Sequence, residues 1–434
     1  MEAKLPPGPR HARIALTYLT QRHTEWTLRA AQKRYGDAFT FRLVGGKTIV
    51  FVCDPERVRA VLTADTAVLT GDRNVAVVVG ENSILVTSGA AHKAGRELLL
   101  PNFTQERAEG QREVLDRLCD EEFDKLPIGE PVEMLPHFEE ITLGVVMKAM
   151  FGERDPAGVA KLLDEFHGFI KFRENPIGSV LISTAKPDSK PPRMFTRVRD
   201  AYDAEVYKQI EAARGDDLDD DTILSALLHG HDEAGEPLTD AAIRDHITTL
   251  LIQGHSSTAV TMGWVIELLV RHPESLARAR AEAQTDGGEY LDAVIYETLR
   301  LCHPSAPLVL REVVQPFALG EYQLTPGLLV AANAYALHRR EDTYSQPYEF
   351  RPERWLEHKP DPARWIPFGG SERHCIGRTF ATYELRHVLR RALRELDFAT
   401  TDQPPERNRR RGIAWVPGDG ARVVIQGRNR SAVA

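Results

Sequence analysis

Cysteine is scarce in this chain. There are four in 434 residues, Cys53, Cys119, Cys302 and Cys375, and no two share a short spacing. So few argue against a disulfide scaffold, and without a CxxC pair there is no zinc signature. A reducing, cytoplasmic setting is expected. An excess of basic residues is also missing. The net charge of −8 and pI near 6.0 argue against nucleic acid as a partner, because phosphate binding needs a basic face. Long apolar runs are lacking too. Met1 to Arg10 reads MEAKLPPGPR, with no apolar core for a signal peptide. The one membrane-like stretch, Ile247 to Val270, carries Gln253, His255, Ser256, Ser257 and Glu267, which suits a buried helix better than a bilayer span. A soluble chain without a membrane partner is the expectation.

What is present reads as an ordinary globular protein, 42% hydrophobic and 27% charged, without repeats or low-complexity tracts. Gln21 to Tyr35 is helix-like, and Phe39 to Leu43 and Lys47 to Val52 flank Gly45-Gly46 as a hairpin. Asp54 before Pro55 marks a helix start. Helical patterns follow at Gln105 to Lys125, Pro136 to Met150 and Ala157 to Phe172, with a loop predicted near Glu81 to Gly89. Four prolines between Glu174 and Arg193 forbid one continuous helix there. A long helix then runs to about Arg214, before a solvated acidic turn, Asp216 to Asp221. The longest helix is Leu238 to Val270; a shorter one, Leu291 to Leu301, is stopped by Pro304. Strand-like pieces at Leu308 to Val314 and Leu328 to Ala334 precede a last helix, Ile376 to Leu396. The balance predicts a mainly α protein with small β-sheets.

The strongest signal is Phe368-Gly-Gly-Ser-Glu-Arg-His-Cys-Ile-Gly377. Its Phe-x-x-x-x-Arg-x-Cys-x-Gly spacing resembles the haem-binding loop of the cytochrome P-450 family. A thiolate beside iron must stay unprotonated, and Cys375 precedes a helix whose amides and dipole favour an anion. Thiolate ligation pushes electron density onto iron. Gly377 permits close approach to a flat macrocycle, and Phe368 would shield the sulfur. Taken alone, Cys375 is as readily a buried structural cysteine; Phe368, Arg373 and Gly377 in register argue otherwise. Ser371 stands where the family usually has glycine.

Further motifs keep the family order. Glu297-Thr-Leu-Arg300 looks like its Glu-x-x-Arg helix, and Pro347-Tyr-Glu-Phe350-Arg-Pro352-Glu-Arg354 matches its Pro-x-x-Phe-x-Pro-Glu-Arg segment. The resemblance implies that Glu297, Arg300 and Arg354 form a buried ion network bracing the cysteine loop; the alternative is a solvated pair of little worth. His92-Lys-Ala-Gly-Arg96 resembles the His-x-x-x-Arg helix that holds haem propionates, with Arg373 a third candidate and Arg311 a fourth by position alone.

The long helix carries Gln253-Gly254-His255-Ser256-Ser257-Thr258 where the family has a motif like Ala/Gly-Gly-x-Asp/Glu-Thr, the stretch that delivers protons to dioxygen. Gly254 fits local opening of the helix. Ser256 replaces the acid and Ser257 the threonine. Ser257 keeps a hydroxyl able to hydrogen-bond; Ser256 cannot titrate. Both serines could instead back-bond to helix carbonyls, and the two roles stay open.

The resemblance implies the triangular-prism P-450 fold as one domain over residues 1–434, haem b as cofactor, and monooxygenation of a lipophilic small molecule, by hydroxylation or epoxidation, in secondary metabolism. Substrate would be enclosed by Val75 to Val86, Asn175 to Pro192, the long helix and Ala306 to Leu310. The family's helical connection between His272-Pro273 and Tyr290-Leu291 is shortened here, and a minor helix is expected to be missing. Electrons would come from a ferredoxin or similar protein, for which Arg386, Arg390, Arg391 and Arg394 offer a docking face or merely a solvated one, and the chain is expected to be a monomer. Two rivals stand beside this: peroxide-driven or non-hydroxylating chemistry (desaturation, coupling, rearrangement), and a non-catalytic haem binding or sensing protein.

Overall fold

The computed structural model describes residues 4–9, 11, 13–175, 178, 191–215, 221–285, 287–304, 308–412 and 414–429. Most of the Pro-rich connector Asn175 to Pro192, the acidic run from Asp216 to Asp220, and residues 305–307 with Ala306 lie outside the described residues.

At the centre lies the distal helix, Asp240–Arg271. Thr239 starts it, its hydroxyl accepting from Ala242 N at 3.2 Å, as an N-cap threonine should. The helix is buried on nearly every side, polar residues such as Arg244, Asp245 and Glu267 included, and so belongs to the core. Its two halves anchor the two largest apolar clusters. Val260, Val265 and Leu269 pack with Phe138, Leu291 and Leu389, while Ile243, Ile247 and Leu251 pack with Phe166, Tyr202 and Leu227. No described helix is long and apolar enough to cross a membrane.

Around this axis the observed elements follow the sequence pattern with local breaks. The first helical pattern divides into Arg13–Arg22 and Thr24–Tyr35. Gln105–Glu109 and Arg112–Asp124 are separate helices where one was expected. The break falls at Gly110, a poor helix residue. The connection after His272 holds a helix, Pro273–Ala283, and then only a short turn before Glu289–Leu301. The hairpin strands Ala38–Arg42 and Thr48–Val52 pair antiparallel around Gly45 and Gly46, both with positive φ. They form one edge of a five-stranded sheet, which continues through Leu329–Asn333, Leu308–Val313 and Leu69–Thr70. Thr48–Val52 runs parallel to Leu329–Asn333, and the other pairs in this sheet are antiparallel. Asp54 caps Pro55–Thr63 through a 2.9 Å bond from Arg57 N.

Gly254 is used for packing. A Cβ built there would come within 2.9 Å of Val146 Cγ2 on the helix Met134–Phe151, and the distal helix runs unbroken through it. The missing side chain lets two core helices approach, whereas the expectation was local opening. Gly254→Leu should overpack this contact and cost roughly 1–3 kcal/mol. A denaturation midpoint equal to wild type would contradict that role.

Candidate active site

The cysteine loop turns on itself before the helix Arg378–Glu395. Cys375 N donates to Phe368 O at 2.8 Å and His374 N to Ser371 O at 3.0 Å. Gly369 takes φ +69 and Ser371 φ +55. The serine at the usual glycine position thus keeps glycine geometry, at about 1–2 kcal/mol for a left-handed L residue. Cys375 is exposed, the other three cysteines buried, even though protein crowds around it. That crowding pushes its thiol pKa up, while the Gly377 N–H, Arg96 and Arg378 pull it down. The helix field alone does not make the thiolate; binding to a metal would, since coordination strips the proton.

Four basic side chains, His92, Arg96, Arg311 and Arg373, lie within electrostatic reach of one another, and Arg96 also acts on the thiol. Arg96 Nη1 donates to His374 O at 2.9 Å. Arg373 Nη1 donates to Ile84 O at 3.3 Å and Nη2 to Thr87 O, while its Nε is buried without a partner. Among the described residues Arg311 bonds only to its neighbour's carbonyl, Leu310 O, at 3.2 Å. Burial lowers the Arg311 pKa to about 9, with Arg373 adding repulsion. Arg373 falls to about 10, from burial and then from Arg96. His92, buried, drops to about 4 by desolvation and by the charges of Arg373, Arg96 and Arg311. None of the three arginines makes a carboxylate ion pair among the described residues. Converging, mutually repelling cations around an exposed thiol call for a bound polyanion. Haem, with two propionates and an iron that takes a thiolate, fits this donor set. Among the described residues no cluster of three or more His, Cys, Asp or Glu offers another metal site.

The loop is tied to a buried charge. Glu297 and Arg300 are both fully buried, and the guanidinium donates in parallel from Nε and Nη2 to the two carboxylate oxygens, each at 2.8 Å. Glu297 also accepts from Arg354 Nε at 3.1 Å, Trp355 Nε1 at 2.9 Å and Arg351 N at 2.9 Å. Arg300 Nη1 donates to His338 O and Pro347 O. An aromatic chain carries this rigidity outward. Trp355 meets Trp365 at 5.9 Å and Trp365 meets Phe368 at 6.1 Å, edge to face, and Phe368 O holds the Cys375 amide.

On the distal helix the stretch from Leu250 to Val260 is buried except at Gln253, Gly254 and Ser257. Gln253 is the exposed residue. Helical spacing puts it one turn from Ser257. Ser257 Oγ donates to Gln253 O at 3.3 Å, so the back-bond is made. Ser256 and Thr258 are buried. His255 points into the core, with Nδ1 bonded to Leu251 O at 2.7 Å and its ring edge-on to Phe166. One helical turn and more before Gln253, Thr249 Oγ1 donates to Ser83 Oγ at 2.7 Å and Asp245 accepts from Asn82 N. The Asn82–Thr87 loop also receives Arg373, so the distal helix and cysteine loop share one support.

Arg386, Arg390, Arg391 and Arg394 are occupied within the chain. Arg386 pairs with Asp292, Arg391 with Asp120 and Glu395, Arg390 bonds Gly287 O, and Arg394 bonds Ala283 O. They pin the cysteine helix to its neighbours, so they do not form an uncommitted basic face.

Comparisons agree with this geometry. A cytochrome P450 family model matches residues 6–421. Cytochrome P450 135B1 of Mycobacterium tuberculosis is 32% identical, the match covering 97% of this chain and 91% of that protein. Cytochrome P450 138 of the same species is 33% identical over 98% and 97%. A solved retinoic acid-bound cyanobacterial CYP120A1 has TM-score 0.84 at 23% identity, covering 98% of this chain and 100% of that one. The heme domain of cytochrome P450DA gives 0.81 at 22%, over both chains in full. The chain belongs to the cytochrome P450 family: it is a haem-thiolate monooxygenase, an oxidoreductase with haem b as cofactor.

Two consequences are measurable. Glu297→Ala leaves Arg300 buried without its counter-charge, at roughly 3–5 kcal/mol, and should yield little haem-loaded protein; normal haem content would contradict this. His246 and His255 are held, chiefly by burial, from 6.5 down to about 4. Neutral when folded, each contributes stability that is whole above pH 6.5 and is lost as pH falls toward 4, because the unfolded chain takes the proton first. His255→Gln should therefore flatten the fall in denaturation midpoint across that window. An unchanged slope would refute it.

Proposed function

We propose that this monooxygenase hydroxylates or epoxidises a lipophilic small molecule in secondary metabolism, as a cytoplasmic monomer drawing electrons from a separate ferredoxin-like protein. The observation carrying the haem-thiolate core is the exposed Cys375 thiol with Arg96 acting on it, in a group with Arg311 and Arg373 that makes no carboxylate ion pair among the described residues. Bound haem supplies reductive activation of dioxygen, which thiolate ligation favours by promoting O–O cleavage.

The protein's own groups do the rest. Cys375 supplies the thiolate sulfur; Arg96, Arg311 and Arg373, with neutral His92 as hydrogen-bond donor, hold the propionates. Phe368 and Gly377 shape the approach to the macrocycle. Apolar side chains such as Val78, Val79, Ile84 and Val86 form the expected wall of the substrate space, and exclude water from it. At the distal face, Gly254 keeps the helix close-packed, Gln253 and Ser257 are the polar groups not buried in the core, and Thr258 backs them. Ser257 already spends its proton on Gln253 O, and Ser256 carries no titratable one. Proton delivery is therefore assigned to water or to the substrate, ordered by Gln253 and Ser257.

Family membership weighs against both rivals, non-hydroxylating chemistry and a silent haem sensor. Turnover under isotopically labelled dioxygen should place label in the product; unlabelled product from a peroxide-driven reaction would overturn the monooxygenase assignment. Ser256→Asp should raise the product formed per reductant consumed. An unchanged ratio would count against substrate- or water-assisted proton delivery.

A further inference from the structure

Arg373 makes no carboxylate ion pair among the described residues; two backbone carbonyls set its direction. Its terminal nitrogens donate to Ile84 O, at 3.3 Å, and to Thr87 O. Both carbonyls belong to the short loop Asn82–Thr87, so the guanidinium is placed only as well as that loop is. The loop folds around Ser83, which is wholly buried. Ser83 O accepts from Val86 N and Thr87 N at 2.9 Å each, and Ser83 Oγ accepts from Leu85 N at 3.1 Å. These bonds give the loop its shape. Its position comes from outside.

The distal helix supplies that position. Asp245 Oδ2 accepts from Asn82 N at 3.0 Å and from Asn82 Nδ2 at 2.9 Å. One turn on, Thr249 Oγ1 donates to Ser83 Oγ at 2.7 Å. Asp245 is buried, and its other oxygen accepts from Arg244 Nη1 at 3.1 Å. Arg244 also donates from Nε to Asp203 Oδ1 at 2.7 Å, so it keeps a counter-charge without Asp245. The seat of the carboxylate is tight: a Cβ built on Gly80 would fall 1.9 Å from Asp245 Oδ1. Charge-assisted bonds on both oxygens fix its direction as well as its place. On the far side of the loop, Thr70 Oγ1 donates to Val86 O at 3.3 Å, and a Cβ on Gly71 would fall 1.7 Å from Leu85 O.

We propose that Asp245 is a positioning residue for the haem: by holding Asn82 it fixes the loop whose carbonyls aim Arg373 at a propionate. This rests on the proposed role of Arg373 in holding that propionate. It joins the distal helix to the clamp on the haem edge.

Haem release from the holoenzyme to excess apomyoglobin is timed, and the haem midpoint potential measured, for wild type, Asp245→Asn, Arg373→Ala, and Asp245→Ala and Thr249→Val, each alone and with Arg373→Ala. Arg373→Ala should speed release roughly tenfold to a hundredfold, the worth of one charge-assisted contact. Asp245→Ala should speed it roughly twofold to tenfold, as for one lost buried hydrogen bond. It should add nothing once Arg373 is gone, because both changes act through one contact. Asp245→Asn keeps an acceptor for Asn82 N and should stay near wild type. The potential supplies a sign. Deleting a carboxylate acts by its own charge to raise it, whereas a loosened Arg373 leaves the propionate less compensated and lowers it. Asp245→Ala should lower it. A wild-type release rate in Asp245→Ala, an effect that persists in full without Arg373, or a raised potential overturns the proposal. Unchanged release in Arg373→Ala removes that arginine from the clamp, and the proposal with it. If Asp245→Ala does not fold, Thr249→Val, which frees the same loop at Ser83, decides by the same pair of comparisons. The carbon monoxide spectrum of the same samples reports separately on thiolate ligation.

Discussion

A carboxylate sealed in the core must be fully answered, and Glu297 is. Two guanidinium groups, an indole and a backbone amide converge on it, with Arg300 donating through two parallel bonds. Arg300 shares its helix and the other three partners lie together on Arg351–Trp355, so satisfying one charge fixes the short helix Glu289–Leu301 against that stretch. From there the tryptophans pass the constraint to Phe368 and the Cys375 amide. The ligand loop contains strained backbone at Ser371, and a loop of that kind persists only where its surroundings over-determine it. Buried pairs of this sort do not by themselves add much stability; their use here is geometric.

The opposite condition holds around the thiol. Arg96, Arg311 and Arg373 repel one another and push His92 toward neutrality. The protein thereby stores an unmet demand for negative charge where a haem edge carries it. Saturation at Glu297 and deficit at the arginines separate scaffold from site.

Much of this was legible in the residues. The Phe368 to Gly377 loop, Glu297 with Arg300, and His92 with Arg96 are short-range patterns, and helical spacing alone puts each pair on one face. Asp54 announced its helix start because capping is local chemistry. Other features depend on partners far along the chain. Arg386 and Arg391 read as a basic face until Asp292 and Asp120 arrive from other helices. Gly254 looked like a hinge because nothing nearby reveals Val146. Gly110 divides a pattern whose apolar periodicity runs through it.

Everything at the site turns on sulfur-to-iron ligation by Cys375. The most direct measurement is the absorption of the purified, reduced protein under carbon monoxide. A thiolate-type Soret band in the wild type, absent from Cys375→Ala, is the expected result. A wild-type band of the histidine-ligated kind, or a thiolate band that persists in Cys375→Ala, would contradict it.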